Sequence, residues 1–194
     1  MAKRLLITGF DPFGSNTSNP SWMAVEMLPE IVGNYALCKL LIPTIFDKAA
    51  ACVLEKAAEF RPDLILCVGL ANGRDAVTPE RIAVNIRDAR IPDNEGNQPL
   101  GERVKKDGPA AYFTTVPVDK MAQAIRDVQI PASVSNTAGT FVCNDVLYTL
   151  LDHYSETDIK VGFIHVPNMP ESGTPSQPIE QIVTALTAAI IACE

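Results

Sequence analysis

The sequence predicts an α/β fold, a three-layer α/β/α sandwich on a mostly parallel sheet. Two observations predict it. Short, near-continuous apolar runs alternate with segments of helical spacing, and strands apolar on both faces belong in a sheet covered on both sides. The chain has 194 residues, 47% of them hydrophobic and 20% charged, enough for one unit, 1–194, to bury about 70% of its unfolded surface without metal or disulfide.

Taken in order, Leu5-Leu6-Ile7 is a first apolar strand, followed by the loop Gly9-Phe10-Asp11-Pro12-Phe13-Gly14. Trp22 to Leu28 repeats its apolar residues at helical spacing. Leu37 to Ile42 is the next strand, and Phe46 to Phe60 an alanine-rich helix. Leu64 to Val68 is fully apolar, as a central strand should be. Ile82 to Ile86 is read as a strand, and the Pro-, Gly- and charge-rich stretch Asp88 to Pro109 as a long loop. Such a loop is either a surface excursion with a small hairpin or part of a binding site. Lys120 to Val128 is helical, Ala132 to Ser135 a strand, and Phe141 to Leu151 a helix with Thr140 as its N-cap. Val161 to Val166 is a buried strand and Ile179 to Ala192 the final helix.

Charge and composition exclude several functions. Sixteen basic residues against 23 acidic give a net charge of −7, a poor match for a nucleic-acid backbone. No apolar run reaches the roughly 20 residues of a membrane span. The N-terminal apolar stretch is too short for a signal peptide and is broken by Asp11 and Pro12. The five cysteines are odd in number and lack a CxxC pair, so no disulfide framework or metal site is expected and a cytoplasmic location is inferred.

In a parallel sheet the ligand site lies at the carboxyl ends of the strands. His165, in Gly162-Phe163-Ile164-His165-Val166, falls there, either as a site residue or as a satisfied, half-buried histidine, whereas His153 ends a helix and complements its dipole. Cys38, Cys52 and Cys67 read as small core residues, and Cys193 as part of a frayed end. Cys143 sits where a strand gives way to a helix; it is either a buried structural cysteine or a nucleophile whose thiol pKa the positive helix end is expected to lower. Glu80, starting a strand, is either an exposed acid or the group that orients a histidine. Phe10 and Phe13 stand where a phosphate loop would need bare backbone; they suit a flat, weakly polar ligand or fill the core.

Five blocks, GFDPFG…NPSW (Gly9 to Trp22), PERIAVN around Glu80, DARIPDNEG (Asp88 to Gly96), SNTAGTFVCN (Ser135 to Asn144) and GFIHVPNMP (Gly162 to Pro170), together resemble the pyrrolidone-carboxylate peptidases, or pyroglutamyl peptidases I. The resemblance implies cytosolic cysteine peptidases of α/β/α fold that remove N-terminal pyroglutamyl residues from peptides. It implies a triad of Glu80, Cys143 and His165, Phe10 and Phe13 against the lactam ring, and Arg90 close to the reacting carbonyl. It further implies no metal or organic cofactor and a homotetramer. Leu70 departs from the glutamine many relatives carry, and Asn97 from a common tyrosine. The rival expectations are a phosphorylase-like enzyme on the same sandwich, which lacks its phosphate-binding cluster here, and a non-catalytic pyroglutamyl-peptide binding protein.

Overall fold

The computed structural model describes residues 2–14, 16–171 and 173–194. In chain order the elements are β1 (Lys3–Phe10), α1 (Pro20–Met27), β2 (Ile31–Val32), β3 (Tyr35–Ile42), α2 (Lys48–Phe60), β4 (Leu64–Leu70), β5 (Thr78–Pro79), β6 (Ile82–Val84), β7 (Ala111–Phe113), α3 (Val118–Asp127), α4 (Val142–His153), β8 (Lys160–Val166) and α5 (Ile179–Ile191). The main sheet has the order β2-β3-β1-β4-β8-β5. Its central strands β3, β1, β4 and β8 are parallel, and the short β2 and β5 run antiparallel at the two edges. The α/β/α sandwich is therefore as the sequence predicts.

Alternation along each strand divides the core in two. Leu5, Ile7, Leu64, Leu66, Ile164 and Val166 face one layer, covered by α1, α3 and α5. Leu6, Phe10, Ile65, Cys67, Val161 and Phe163 face the other, covered by α2 and α4. His165 shares the parity of Phe163, so it points to the α2–α4 side.

The strand order reverses between β1 and β4. From β1 the chain winds outward to β3, then returns across to β4 on the other side. The β1–β4 ladder ends at Thr8 opposite Cys67, while β1 continues to Phe10 beside β3 and β4 to Leu70 beside β8. The two strands thus part at their carboxyl ends and open a crevice, the place where this sheet type takes its ligands.

Two expected strands are corrected. Ile82 to Ile86 does not enter the main sheet: β6 forms a separate two-stranded ribbon with β7 and stops at Val84, where Ile86 N–H turns back to the Val84 carbonyl at 2.9 Å. Ala132 to Ser135 runs beside β5 but makes only isolated bridges, Val77 with Ala132 and Glu80 with Ser135. The reason is chemical. The flanking bonds are present, Ser133 N–H to Val77 O at 3.3 Å and Ser135 N–H to Pro79 O at 2.9 Å. The bond that would join the two bridges must be donated by residue 79, and proline has no N–H.

Cys193 is also corrected. It is not frayed: its carbonyl accepts the Tyr35 hydroxyl at 2.9 Å and its residue packs on the core.

Candidate active site

The site lies at the β1–β4 crevice. A cavity of about 850 Å³ is lined there by Phe10, Phe13, Thr44, Leu70, Phe141 and Cys143, with Asp88, Arg90 and Ile91 on one wall. Phe10 is almost fully buried and Phe13 half-buried. Phe10 therefore serves both readings offered by the sequence, filling the core and flooring the pocket. Phe13 packs on Phe141, ring centroids 5.3 Å apart, and Phe141 packs edge-on against Phe46 at the same 5.3 Å. Phe141, which sequence reasoning passed over, completes the aromatic wall.

Asp11, between the two phenylalanines, does not face a ligand freely. Its carboxylate accepts the Thr44 N–H at 2.7 Å and the Asn94 amide at 3.2 Å. It thereby ties the β1 loop to the long Asp88 to Pro109 loop. Asp93 anchors that segment from within, accepting the Phe46, Glu95 and Asn97 N–H groups. The long loop is thus a pinned pocket wall that carries Asp88 and Arg90, both exposed.

Cys143 occupies the first turn of α4. The N-cap is Phe141, one residue later than predicted, because the Thr140 hydroxyl donates to the Asp88 carbonyl at 2.8 Å instead of capping the helix. The two residues after Cys143 fix this turn. Asn144 is fully buried and exchanges bonds with both the N–H and the carbonyl of Val84. Asp145, also fully buried, takes Arg87 Nε at 2.6 Å. N–H groups in the first turn have no acceptor within the helix and remain available to an anion.

The sulfur reaches over β4 at Gly69. A Cβ built on Gly69 would lie 3.0 Å from Cys143 Sγ and 2.8 Å from the Phe163 ring. Only a residue without a side chain leaves that space to the thiol. Gly69 is in register with His165 on β8, and in-register parallel neighbours point their side chains to the same face. The thiol and the imidazole therefore share one small space above two adjacent strands.

Behind His165 stands Glu80. Its Oε1 lies 2.7 Å from His165 Nδ1, with the acid fully buried and the histidine nearly so. The exposed-acid alternative for Glu80 is thereby excluded. β5 sets this distance: Thr78 pairs with His165, and Glu80 N–H donates to Phe163 O at 2.9 Å. Arg74, to which the sequence reading gave no role, donates to the same Glu80 Oε1 at 2.6 Å.

The electrostatics follow from these contacts. Burial pulls the Glu80 pKa upward, but the His165 hydrogen bond and charge, with help from Arg74, outweigh it and hold the carboxyl below its ordinary value. Burial lowers the His165 pKa, with the Arg74 cation acting the same way and Glu80 opposing both. Burial and Arg74 both favour the neutral imidazole, whose Nδ1–H donates to the Glu80 carboxylate. For Cys143 the expectation of a lowered pKa is overturned. Burial, reinforced by the Glu80 carboxylate, pushes the thiol up to about 12; Arg74 and the helix's own N–H pull it down only in part.

His153 lies in the last turn of α4 against the Tyr154 ring. Among the described residues no group of three or more His, Cys, Asp or Glu could hold a metal ion, and no helix is long and apolar enough to cross a membrane.

A profile of the pyroglutamyl peptidase family matches residues 3–194. The pyrrolidone-carboxylate peptidase of Lactobacillus johnsonii is 49% identical over 196 residues, covering 97% of this chain and 91% of its own. The crystal structure of pyroglutamyl peptidase I from Bacillus amyloliquefaciens superposes with a TM-score of 0.96 at 46% identity, covering 100% of this chain and 95% of that one. The pyrrolidone carboxyl peptidase of Thermococcus litoralis, at 35% identity, gives 0.94 over 98% of this chain and 93% of its own. On the match over nearly its whole length, this chain belongs to the pyroglutamyl peptidase family.

Proposed function

We propose that the protein is a cysteine exopeptidase that hydrolyses the amide bond after an N-terminal pyroglutamyl residue, with Cys143 as nucleophile, His165 as general base and Glu80 as the acid that orients it. The observation that carries this reading is the buried 2.7 Å Glu80–His165 contact, set beside the Cys143 sulfur over Gly69. The chain 1–194 acts as one peptidase unit. From the family relation we further infer a cytoplasmic homotetramer, which a native mass measurement tests.

The steps follow from the protonation states. Neutral His165 removes the thiol proton as sulfur attacks the carbonyl carbon. Negative charge builds on the carbonyl oxygen, and first-turn N–H groups of α4 receive it; one such donor contributes roughly 3–4 kcal/mol. Imidazolium, stabilised by Glu80, returns its proton to the departing amine as the carbon–nitrogen bond breaks. A thioester remains. Water, deprotonated by His165, attacks it, and the carbon–sulfur bond breaks to release pyroglutamate and the thiol. No step calls for a metal or cofactor. A chromogenic pyroglutamyl amide, assayed with and without a thiol alkylator, tests the activity; absence of alkylator-sensitive turnover would sink it.

His165 and His153 should separate cleanly. Removing a general base costs about 100- to 10,000-fold. His165→Ala should lose at least that much in kcat/KM, while His153→Ala should stay near wild type. Because burial lowers the His165 pKa, the acid limb of kcat/KM should fall below the ordinary histidine value of 6.5. Equal losses in the two variants, or a limb above that value, would overturn the assignment.

Arg90, which lines the same cavity from the loop wall, is assigned the role of assisting the oxyanion. It is exposed, so its charge is screened and the effect should be about 100-fold or less. Arg90→Ala should lower kcat more than it raises KM, since the charge matters most when the oxyanion forms. A change confined to KM would remove Arg90 from that role.

A further inference from the structure

We propose that Arg74 is a positioning residue of this site, whose guanidinium locks the Glu80 carboxylate that orients His165. The proposal rests on the triad reading above. Arg74 reaches the acid because the chain turns sharply after β4. Gly73 adopts φ +87°, a conformation that favours glycine, and Arg74 N–H closes the turn onto the Ala71 carbonyl at 3.2 Å.

The guanidinium then meets three acceptors on two separate segments. Nη1 donates to Glu80 Oε1 at 2.6 Å and to the Thr78 hydroxyl, and Nη2 donates to the Thr137 carbonyl at 2.9 Å. Thr78 belongs to β5, which sets the height of Glu80, and Thr137 lies on the approach to the helix that carries Cys143. One planar fork therefore ties together the acid, its strand and the run into the nucleophile. A lysine offers a single point charge and cannot fill all three positions in the same way. Arg74 meets the triad at the Glu80 carboxylate, so it acts on the reaction by way of the acid and the histidine that acid orients.

A second consequence is electrostatic. Glu80 has no exposure to solvent, and a carboxylate so buried requires a counter-charge. Arg74 supplies one, leaving the imidazole without the need to be charged. The titratable and charged groups around His165 are Glu80, Arg74 and Cys143, with Cys67 on β4 beside the thiol and Asp88 and Arg90 on the opposite wall of the pocket. Of these, Arg74 is the cation that acts on His165 directly. Without it, Glu80 would recruit a proton onto His165, and the base would be protonated at a higher pH.

The test compares Arg74→Gln and Arg74→Lys by activity and by histidine titration. The titration is followed by NMR in a Cys143→Ala, His153→Gln background, where His165 is the sole histidine. Arg74→Gln should raise the His165 pKa by roughly one unit or more. In the otherwise intact enzyme it should move the acid limb of kcat/KM upward by the same amount and lower kcat at neutral pH about tenfold or more, with KM little changed. Arg74→Lys should restore the limb but only part of kcat. A folded Arg74→Gln variant with an unmoved titration and limb would overturn the proposal, reducing the contact to structural support. If the glutamine variant fails to fold, full kcat in Arg74→Lys overturns it equally. Turnover retained by His165→Ala would sink the triad itself, whereas the expected loss there beside an unmoved Arg74→Gln titration sinks the role of Arg74 alone.

Discussion

Cys143→Ala should lose turnover by a factor on the order of 10^6, the scale at which a hydrolase loses its nucleophile. The fold should survive. The substitution removes one sulfur from a half-buried position and leaves Asn144 and Asp145, which pin the helix turn, untouched. The thermal midpoint should move by only a few degrees. None of the other four cysteines should behave in this way, since Cys38, Cys52 and Cys193 pack on the apolar layers away from the pocket lining and Cys67, beside the thiol, is fully buried. The raised thiol pKa adds a sharper expectation. If the resting pair is neutral thiol and neutral imidazole, alkylation of Cys143 should keep accelerating well above pH 9. A rate already at its plateau below pH 7 would mean a resting thiolate–imidazolium pair instead. A Cys143→Ala variant retaining more than a few per cent of wild-type turnover would end the assignment altogether.

The difference between reading this site and seeing it lies in three residues. His165 was legible as a candidate because it ends a buried apolar strand of a parallel sheet, although position alone left it equally a satisfied, half-buried histidine. Cys143 was legible by position, at a strand-to-helix junction, but not by charge. Helix polarity is a local property that sequence reveals, whereas desolvation depends on Phe163, Gly69 and Glu80 arriving from elsewhere in the chain, and here desolvation wins. Arg74 was not legible at all. It precedes Glu80 by six residues, and its contact exists only because Gly73 turns the chain and β5 folds back along β8. The four parallel strands of the main sheet were readable as apolar runs. β5 was not, because two residues carry no period, and Ala132 to Ser135 failed as a strand through a single absent N–H at Pro79.

The substrate preference should follow from what the pocket does not contain. An aminopeptidase must pair the ammonium of a free N-terminus, and burying that charge unpaired is costly. Asp11 is spent on Thr44 and Asn94, and Glu80 on His165 and Arg74. Among the described residues the acid left on the lining is Asp88, exposed on the loop wall. The interior is instead aromatic, with Phe10, Phe13 and Phe141 around a space for a flat neutral ring. Where β1 and β4 part, the backbone of Leu70 faces away from β8 and is available to the polar edge of a lactam. A prolyl N-terminus has a similar ring but a charged nitrogen and no lactam oxygen, so it would leave those groups unpaired. Hydrogen-bonding sites deprived of their partners discriminate by roughly 10,000-fold. We therefore expect kcat/KM for a pyroglutamyl amide to exceed that for prolyl, glutamyl and glutaminyl amides by about this factor. Leu70 lines the pocket with an apolar side chain that cannot hydrogen-bond the lactam, which should reduce the size of the ratio while leaving its direction. Adding such a contact with Leu70→Gln should lower KM for the pyroglutamyl amide. Comparable kcat/KM for prolyl and pyroglutamyl amides would overturn the lactam reading, and if Asp88→Asn then abolished only the prolyl activity, the pocket would be reading an ammonium after all.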